Sequence, residues 1–202
     1  MKNYKLSDET RTASWGTVLH RVVATTTFTL ACGSTINVGD VGGWIENESN
    51  LSDNAWVSGD AQVFGNARIY GNALVSGRAE VFGNAWIYDN AQVSGNAKVS
   101  GNALVSGNAK VYDNAWATGN AWVADNAEVS GDAWVYGDAW VYGDAEVYGD
   151  AKVFDYARVC DNAQVSGEVK INDNAQVSDT ALDQGDAQAS CNARVMNVLV
   201  MN

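Results

Sequence analysis

Residues 90–107 read Asn-Ala-Gln-Val-Ser-Gly, Asn-Ala-Lys-Val-Ser-Gly and Asn-Ala-Leu-Val-Ser-Gly, three copies of one six-residue unit. The unit continues in both directions, so that residues 54–197 form 24 consecutive units without an insertion. The second position is Ala in 23 units and the fourth is Val or Ile in 21. Side chains two residues apart on a strand point to the same side, so these positions predict short strands with a narrow apolar inner face.

The other recurrent feature of the unit is a corner, made of Gly or Asp at its end and Asn or Asp at the next start. Gly adopts positive φ without strain, and Asn and Asp tolerate it. A short strand and a corner every six residues predict a coil that closes after three sides, with an 18-residue period. Asn54, Asn72, Asn90, Asn108 and Asn126 recur at that spacing and are expected to form an amide ladder along the axis.

This pattern resembles the hexapeptide-repeat left-handed parallel β-helix. The resemblance implies an all-β solenoid of about eight triangular coils, and the left hand comes from the resemblance alone. Residues 1–53 break the period and are expected to form a small N-terminal β capping module, with strands over residues 16–24 and 25–31. Residues 54–197 are the predicted solenoid, and residues 198–202 are an apolar C-terminal tail that we expect to act as a cap or an oligomer contact.

Segments of the N-terminal module carry a second resemblance, to a module found in hexapeptide-repeat proteins common in phage and prophage genomes. The segments are Lys5-Leu-Ser-Asp-Glu-Thr10, Leu19-His-Arg21, Gly39-Asp-Val-Gly-Gly-Trp-Ile-Glu46 and Asn50-Leu-Ser52. The resemblance implies a protein encoded by a phage or prophage.

Composition and charge exclude several classes of function. The chain has 202 residues, with 12 Lys and Arg against 24 Asp and Glu and a net charge of −12. It lacks a run of about 18 apolar residues, so we expect no membrane span. It also lacks a basic-then-apolar opening, so we expect no signal peptide. The expected location is therefore the host cytoplasm or, alternatively, the virion. Scattered basic residues disfavour ordinary DNA or RNA binding. Cys32, Cys160 and Cys191 share no ligand-like spacing, which predicts free thiols, no metal and no cofactor.

The candidates for catalysis are few. Many proteins of the family that the repeat resembles are acyltransferases, with a His base on the solenoid and a loop extruded from one coil. Here the one His, His20, lies outside the repeats, and the 24 units contain no inserted loop. We therefore predict that the protein is not an enzyme, and keep an acyltransferase with His20 as base as one alternative.

The 18-residue period sorts the outward third position of each unit into three faces. The first face reads Trp56, Leu74, Gln92, Lys110, Glu128, Glu146, Gln164 and Leu182, and is expected to face water. The second reads Gln62, Glu80, Lys98, Trp116, Trp134, Lys152, Lys170 and Gln188. The third reads Arg68, Trp86, Leu104, Trp122, Trp140, Arg158, Gln176 and Arg194.

The third face is the most apolar, and large apolar patches on soluble proteins usually meet a partner. One interpretation is the interface of a parallel homotrimer. The other is a ligand platform, because Trp and Tyr rings stack on sugar rings or nucleobases and Arg binds phosphate or carboxylate. The candidate binding residues are Trp86, Trp122, Trp140, Tyr142 and Arg158 on this face, and Trp116 and Trp134 on the second.

These observations predict a non-catalytic, homotrimeric binding protein. In the favoured hypothesis it binds or sequesters a host protein or a small nucleotide-like or saccharide ligand through its aromatic and Arg surfaces. The alternatives are a virion structural or receptor-binding component, which suits the stiff repeat, and the acyltransferase.

Overall fold

The computed structural model describes residues 2–179, 182–183, 188–189, 194–196 and 199–200. The N-terminal region contains five strands: β1 (Tyr4–Thr12), β2 (Val18–Ala24), β3 (Phe28–Thr29), β4 (Thr35–Ile36) and β5 (Val41–Ile45). An antiparallel sheet is formed by three of them, with β2 between β1 and β5. A two-stranded hairpin, β3 and β4, and two short 3₁₀ turns, Ser14–Gly16 and Glu48–Asn50, complete this region.

The predicted strand over residues 25–31 is wrong except at Phe28 and Thr29. The chain bends at Thr25 and Thr26, where the Thr25 amide donates to the Asn3 carbonyl and the Thr26 hydroxyl donates to the Asn3 side chain. The sequence also did not indicate β1, because most of its side chains face solvent and show no apolar alternation.

Strands of the solenoid recur every six residues from Trp56 to Arg194. Each of these up to the strand at Gln176 pairs in parallel with the strand 18 residues further on, whereas Leu182 lies opposite Leu199, 17 residues further on. The all-β parallel solenoid of about eight turns is therefore confirmed, with its N-terminal antiparallel sheet; its left hand stays a prediction. The first-face strands are β6 (Trp56–Val57), β9 (Leu74–Val75), β12 (Gln92–Val93), β15 (Lys110–Val111), β18 (Glu128–Val129), β21 (Glu146–Val147), β24 (Gln164–Val165), β27 (Leu182–Asp183) and β30 (Leu199–Val200). The second-face strands are β7 (Gln62–Val63), β10 (Glu80–Val81), β13 (Lys98–Val99), β16 (Trp116–Ala117), β19 (Trp134–Val135), β22 (Lys152–Val153), β25 (Lys170–Ile171) and β28 (Gln188–Ala189). The third-face strands are β8 (Arg68–Ile69), β11 (Trp86–Ile87), β14 (Leu104–Val105), β17 (Trp122–Val123), β20 (Trp140–Val141), β23 (Arg158–Val159), β26 (Gln176–Ser178) and β29 (Arg194–Met196).

The core is the single stack predicted from the Ala and Val positions, whose side chains are buried in every unit from Ala55 to Val177. The same pairing register already includes Ile45, opposite Val63, and Leu51, opposite Ile69. The N-terminal sheet thus continues directly into the second face. The division of the chain at residue 53 stays an interpretation of the repeat pattern.

One residue of the first face departs from its expected exposure. Trp56 stands at an outward position, yet it is buried, and its ring meets the Phe28 ring edge-on at 5.7 Å. The β3–β4 hairpin therefore covers the start of a face that we expected to be open to water.

The corners have the expected backbone, with positive φ at Gly or Asp. Asp adds a contact that the pattern alone did not predict: the Asp125 carboxylate accepts the Gly143 amide of the next coil at 3.1 Å. The amide ladder is confirmed from Asn72 onward, since Asn72, Asn90, Asn108 and Asn126 donate in turn to the next member and the series ends on Asp144. Asn54, the first predicted member, instead accepts a hydrogen bond from the Asn3 side chain.

Two further predictions, the free thiols and the absence of a membrane span, can be compared with the structure only for the described residues. Cys32 and Cys160 are free thiols, whereas Cys191 and most of the tail at residues 198–202 lie outside the described residues. In the described part of the chain, no helix has the length and apolar character needed to cross a lipid bilayer.

Candidate functional site: an aromatic pocket on the third face

Two of the predicted site residues meet on the third face. Trp122 and Trp140 lie opposite each other on β17 and β20, with ring centroids 5.0 Å apart and planes at 71°. The Trp122 Nε1–H donates to the Ser106 hydroxyl at 3.3 Å, which turns the indole toward the preceding coil. The edge-on arrangement leaves ring faces unstacked, and these faces can accept another planar group.

A cavity of about 240 Å³ opens beside this pair, and we call it the third-face pocket. Three aromatic rings, one small side chain and one carboxylate line it: Trp122, Trp140, Tyr142, Ala124 and Asp125. Asp125 stands at a corner, and one of its oxygens accepts the Gly143 amide. The pocket therefore combines apolar walls with one acceptor at its edge.

The pocket exists because a ladder of rings is interrupted. The fifth position of the third-face units reads Tyr70, Tyr88, Ser106, Ala124 and Tyr142 on successive coils. Tyr70 and Tyr88 stack with centroids 5.1 Å apart and planes at 3°. Ser106 and Ala124 carry no ring, so the face of Tyr142 that looks toward Ala124 has no partner from this column.

On the other side of Tyr142, the next coil places the buried thiol of Cys160 in the same column. A hydrogen bond with Cys160, together with burial, raises the pKa of Tyr142 to about 12. Burial in turn raises the pKa of the Cys160 thiol, which is nearly inaccessible to solvent. Tyr142 is a neutral hydroxyl at physiological pH, as a tyrosine with an ordinary pKa also is, and it presents an uncharged ring to the pocket.

Arg158 supplies the positive charge next to the pocket, as the sequence predicted. Its guanidinium carbon lies 5.0 Å from the ring centroid of Trp140, within the range of a cation–π contact. Arg158 is exposed, and none of the ion pairs among the described residues includes it. The guanidinium is thus available to an anionic group in a protein whose net charge is −12.

The other predicted site residues lie elsewhere. Trp116 and Trp134 stack on the second face with centroids 4.9 Å apart and planes at 3°, and Lys98 and Lys152 lie over the two rings. A charged cavity of about 400 Å³ borders Trp134 there; it is lined also by Asp132, Asp150, Lys152, Glu168 and Lys170.

Trp86 is on the third face, but Leu104 separates it from Trp122, so it borders other cavities than the third-face pocket. His20, the base of the acyltransferase alternative, is half-buried on β2, opposite Ile45.

Sequence reasoning missed three residues of this site: Ala124, Asp125 and Cys160. A signal for Ala124 was present, because it and Ser106 interrupt the column between Tyr88 and Tyr142. Asp125 carried no comparable signal, since Asp is common at the corners. For Cys160, the sequence predicted only a free thiol.

The fold and the site together define a β-solenoid repeat protein with an aromatic pocket on one face. The model of the YdcK β-solenoid repeat matches residues 61–77, 67–81 and 91–107, all in the first half of the solenoid. The match supports a repeat β-solenoid protein. Among curated proteins, none matches the chain. The described residues include no group of three or more His, Cys, Asp or Glu side chains placed to hold a metal ion.

Proposed function

We propose that the protein is a non-catalytic binding protein that sequesters a small nucleotide-like ligand, a planar ring bearing an anionic group, in the third-face pocket. The observation that carries the proposal is the interrupted ladder, in which Ala124 leaves room beside the rings of Trp122, Trp140 and Tyr142. The ligand ring would occupy the place of the missing side-chain ring. A ligand held by stacking needs no catalytic group.

The spacing of the solenoid favours a flat ring in this place. Rings on successive coils stack at 4.9 Å for Tyr136 and Phe154 and at 5.1 Å for Tyr70 and Tyr88. A ring above Ala124 would lie at a similar distance from Tyr142, with Trp140 at its side. Stacking of a base on an aromatic side chain contributes about 1–3 kcal/mol per ring.

Size and charge narrow the class of ligand. A volume of about 240 Å³ is below the roughly 300–1,000 Å³ that is usual for drug-sized ligands, which favours a single ring system. Arg158 can bind a phosphate or carboxylate with two parallel hydrogen bonds. The second oxygen of Asp125 can accept an N–H from the exocyclic amino group of a nucleobase such as adenine.

Calorimetric titration with adenosine monophosphate tests the proposal, comparing the natural protein with Trp140→Ala. We expect saturable binding that the substitution weakens about tenfold or more, because one stacking face is lost. Trp134→Ala removes an equally exposed Trp from the second face and serves as the matched control, with no expected change. Absence of heat at millimolar nucleotide, or equal weakening by both substitutions, would refute the proposal.

We also propose that the protein is a homotrimer in which the pocket lies in a cleft between protomers. The specific support is the exposure of Trp86 and Trp140, at 42% and 37%, on one flat face. Light scattering after size exclusion should give about three times the chain mass of 21.5 kDa. A mass of one chain would contradict the trimer and leave the whole third face open to partners.

The cellular setting that we propose is that of an accessory protein in the cytoplasm of an infected host, and its support is the resemblance of the N-terminal segments to a module of phage and prophage proteins. Fractionation of an infected culture should then place the protein with the soluble host contents. Recovery in purified particles would instead support a virion component.

A further inference from the structure

The largest cavity described for this chain, of about 600 Å³, lies where the N-terminal region meets the third face. One wall comes from Lys2 and Glu48, ahead of the repeats, and the other comes from Arg68, Tyr70 and Trp86 of the first two third-face coils. The third-face pocket shares none of these residues. The cavity is incomplete without the N-terminal region.

Its aromatic wall is the other end of the tyrosine ladder. Ser52 precedes Tyr70 by 18 residues and occupies the same column, and both line the cavity. Tyr88 stacks on the far side of Tyr70, and Trp86 meets Tyr70 edge-on at 6.1 Å. The exposed Ser52 thus leaves the last ring of the ladder without a neighbour on its near side, as Ala124 does for Tyr142.

The charge of this cavity comes from Arg68. Lys2 and Glu48 form an ion pair at 2.8 Å and largely cancel each other. The Arg68 guanidinium lies 6.0 Å from the Trp86 ring, and none of the ion pairs found in residues 2–179 includes it. An exposed Arg beside two aromatic rings repeats the chemistry of Arg158, Trp140 and Tyr142.

We infer that this cavity, the cap-junction site, is a second binding site for a planar ring bearing an anionic group. The ring stacks on Tyr70 above Ser52, and the anion pairs with Arg68. The inference rests on the ligand chemistry of the proposed function but on a separate set of residues. Ser52 and Ala124 are four coils apart along the axis, roughly 19 Å at about 4.8 Å per coil, so one small ligand cannot fill both sites.

Equilibrium dialysis with adenosine monophosphate counts the sites. We expect two bound molecules per chain in the natural protein and one in Ser52→Phe, in which the new ring completes the ladder and takes the stacking place on Tyr70. Ser76→Phe places the same ring at the fifth position of the first face and should keep both sites. Ala124→Phe should also bind one molecule, and the double substitution Ser52→Phe with Ala124→Phe should bind none.

Arg68→Gln gives a second test that does not depend on tolerance of a new ring, because Arg68 is exposed. We expect it to weaken one of the two binding events about tenfold through loss of the charged contact. Arg78→Gln, at an exposed corner, is the matched control and should change neither event.

The outcomes separate this inference from the proposed function. One site that Ala124→Phe abolishes and Ser52→Phe leaves intact would overturn the cap-junction site and keep the third-face pocket. One site that Ser52→Phe abolishes and Ala124→Phe leaves intact would support the cap-junction site and overturn the third-face pocket. Binding that is indifferent to Ser52→Phe and Arg68→Gln would refute the inference whatever its stoichiometry.

Discussion

The second and third faces are built from the same repeat, yet in the described part of the chain the cavity beside the second-face tryptophans has one ring in its wall, whereas the third-face pocket has three. Trp116 and Trp134 lie parallel at 4.9 Å, which leaves no space for a ring between them, and lysines cover both. Trp122 and Trp140 lie edge-on beside Ala124 and leave a pocket. The number of aromatic residues on a face therefore does not make a site; ring orientation and a small neighbour do.

The core that both faces share should respond most strongly to substitution. Val123 on the third face and Val135 on the second are fully buried in one cluster. We expect Val123→Asp or Val135→Asp to lower the free energy of unfolding by about 4 kcal/mol or more, because each buries a carboxylate without a partner. Urea denaturation measures this. A loss below about 1 kcal/mol for either substitution would contradict the common core.

The next largest effect is expected when a ring is added to each face, because only the ring on the third face should block nucleotide binding. Ala124→Phe places a ring in the third-face pocket, so we expect adenosine monophosphate binding at that pocket to fall about a hundredfold or more through steric exclusion. The control is Ser100→Phe, at the corresponding fifth position of the second face. Calorimetry should show unchanged binding in this variant, and equal losses in both variants would show that the pocket is not the site.

The cations of the two faces should differ in their effect on binding. Arg158→Gln should weaken the nucleotide about tenfold and change the unfolding free energy by less than about 1 kcal/mol, because the residue is exposed. Lys152→Gln, which removes the cation over Trp134, should have a similarly small effect on stability and none on binding. A nucleotide affinity that responds equally to both substitutions would point to general electrostatics rather than to a site.

The smallest expected effect is at alkaline pH. The raised pKa of Tyr142, about 12, is due first to its hydrogen bond with Cys160, whereas burial is the first cause of the raised pKa of Tyr136 on the second face. A phenol whose pKa is raised in the folded state contributes stability that is full below pH 10 and is lost as the pH rises through about 12. Cys160→Ala should move the absorbance titration of Tyr142 toward its usual range and leave that of Tyr136 in place; no movement would exclude the thiol as the cause.

Much of the fold could be predicted because each unit repeats the same physical requirement. Ala and Val at fixed positions must be buried, and Gly or Asp must form the corner, so strand positions, faces and the 18-residue pairing all follow from spacing. The N-terminal strand Tyr4–Thr12 could not be predicted in this way. Its outer side faces water, and its position depends on contacts with β2 rather than on its own pattern.

For the site, the sequence predicted the face on which the tryptophans lie, but not the pocket beside them. The period placed Trp122 and Trp140 on one face, but it could not indicate that their rings meet edge-on, since this depends on the bond from Trp122 to Ser106. Nor does spacing report a cavity, because the volume above Ala124 depends on how three large side chains turn around it.

The most direct measurement is a ¹H–¹⁵N spectrum that follows the eight tryptophan indole N–H groups during addition of adenosine monophosphate. A nucleobase stacked in the third-face pocket should shift the signals of Trp122 and Trp140 and leave those of Trp116 and Trp134 unchanged. Saturating shifts confined to the third face would confirm that the interrupted ladder is a binding site. Unchanged signals at millimolar nucleotide, or equal shifts on both faces, would contradict it.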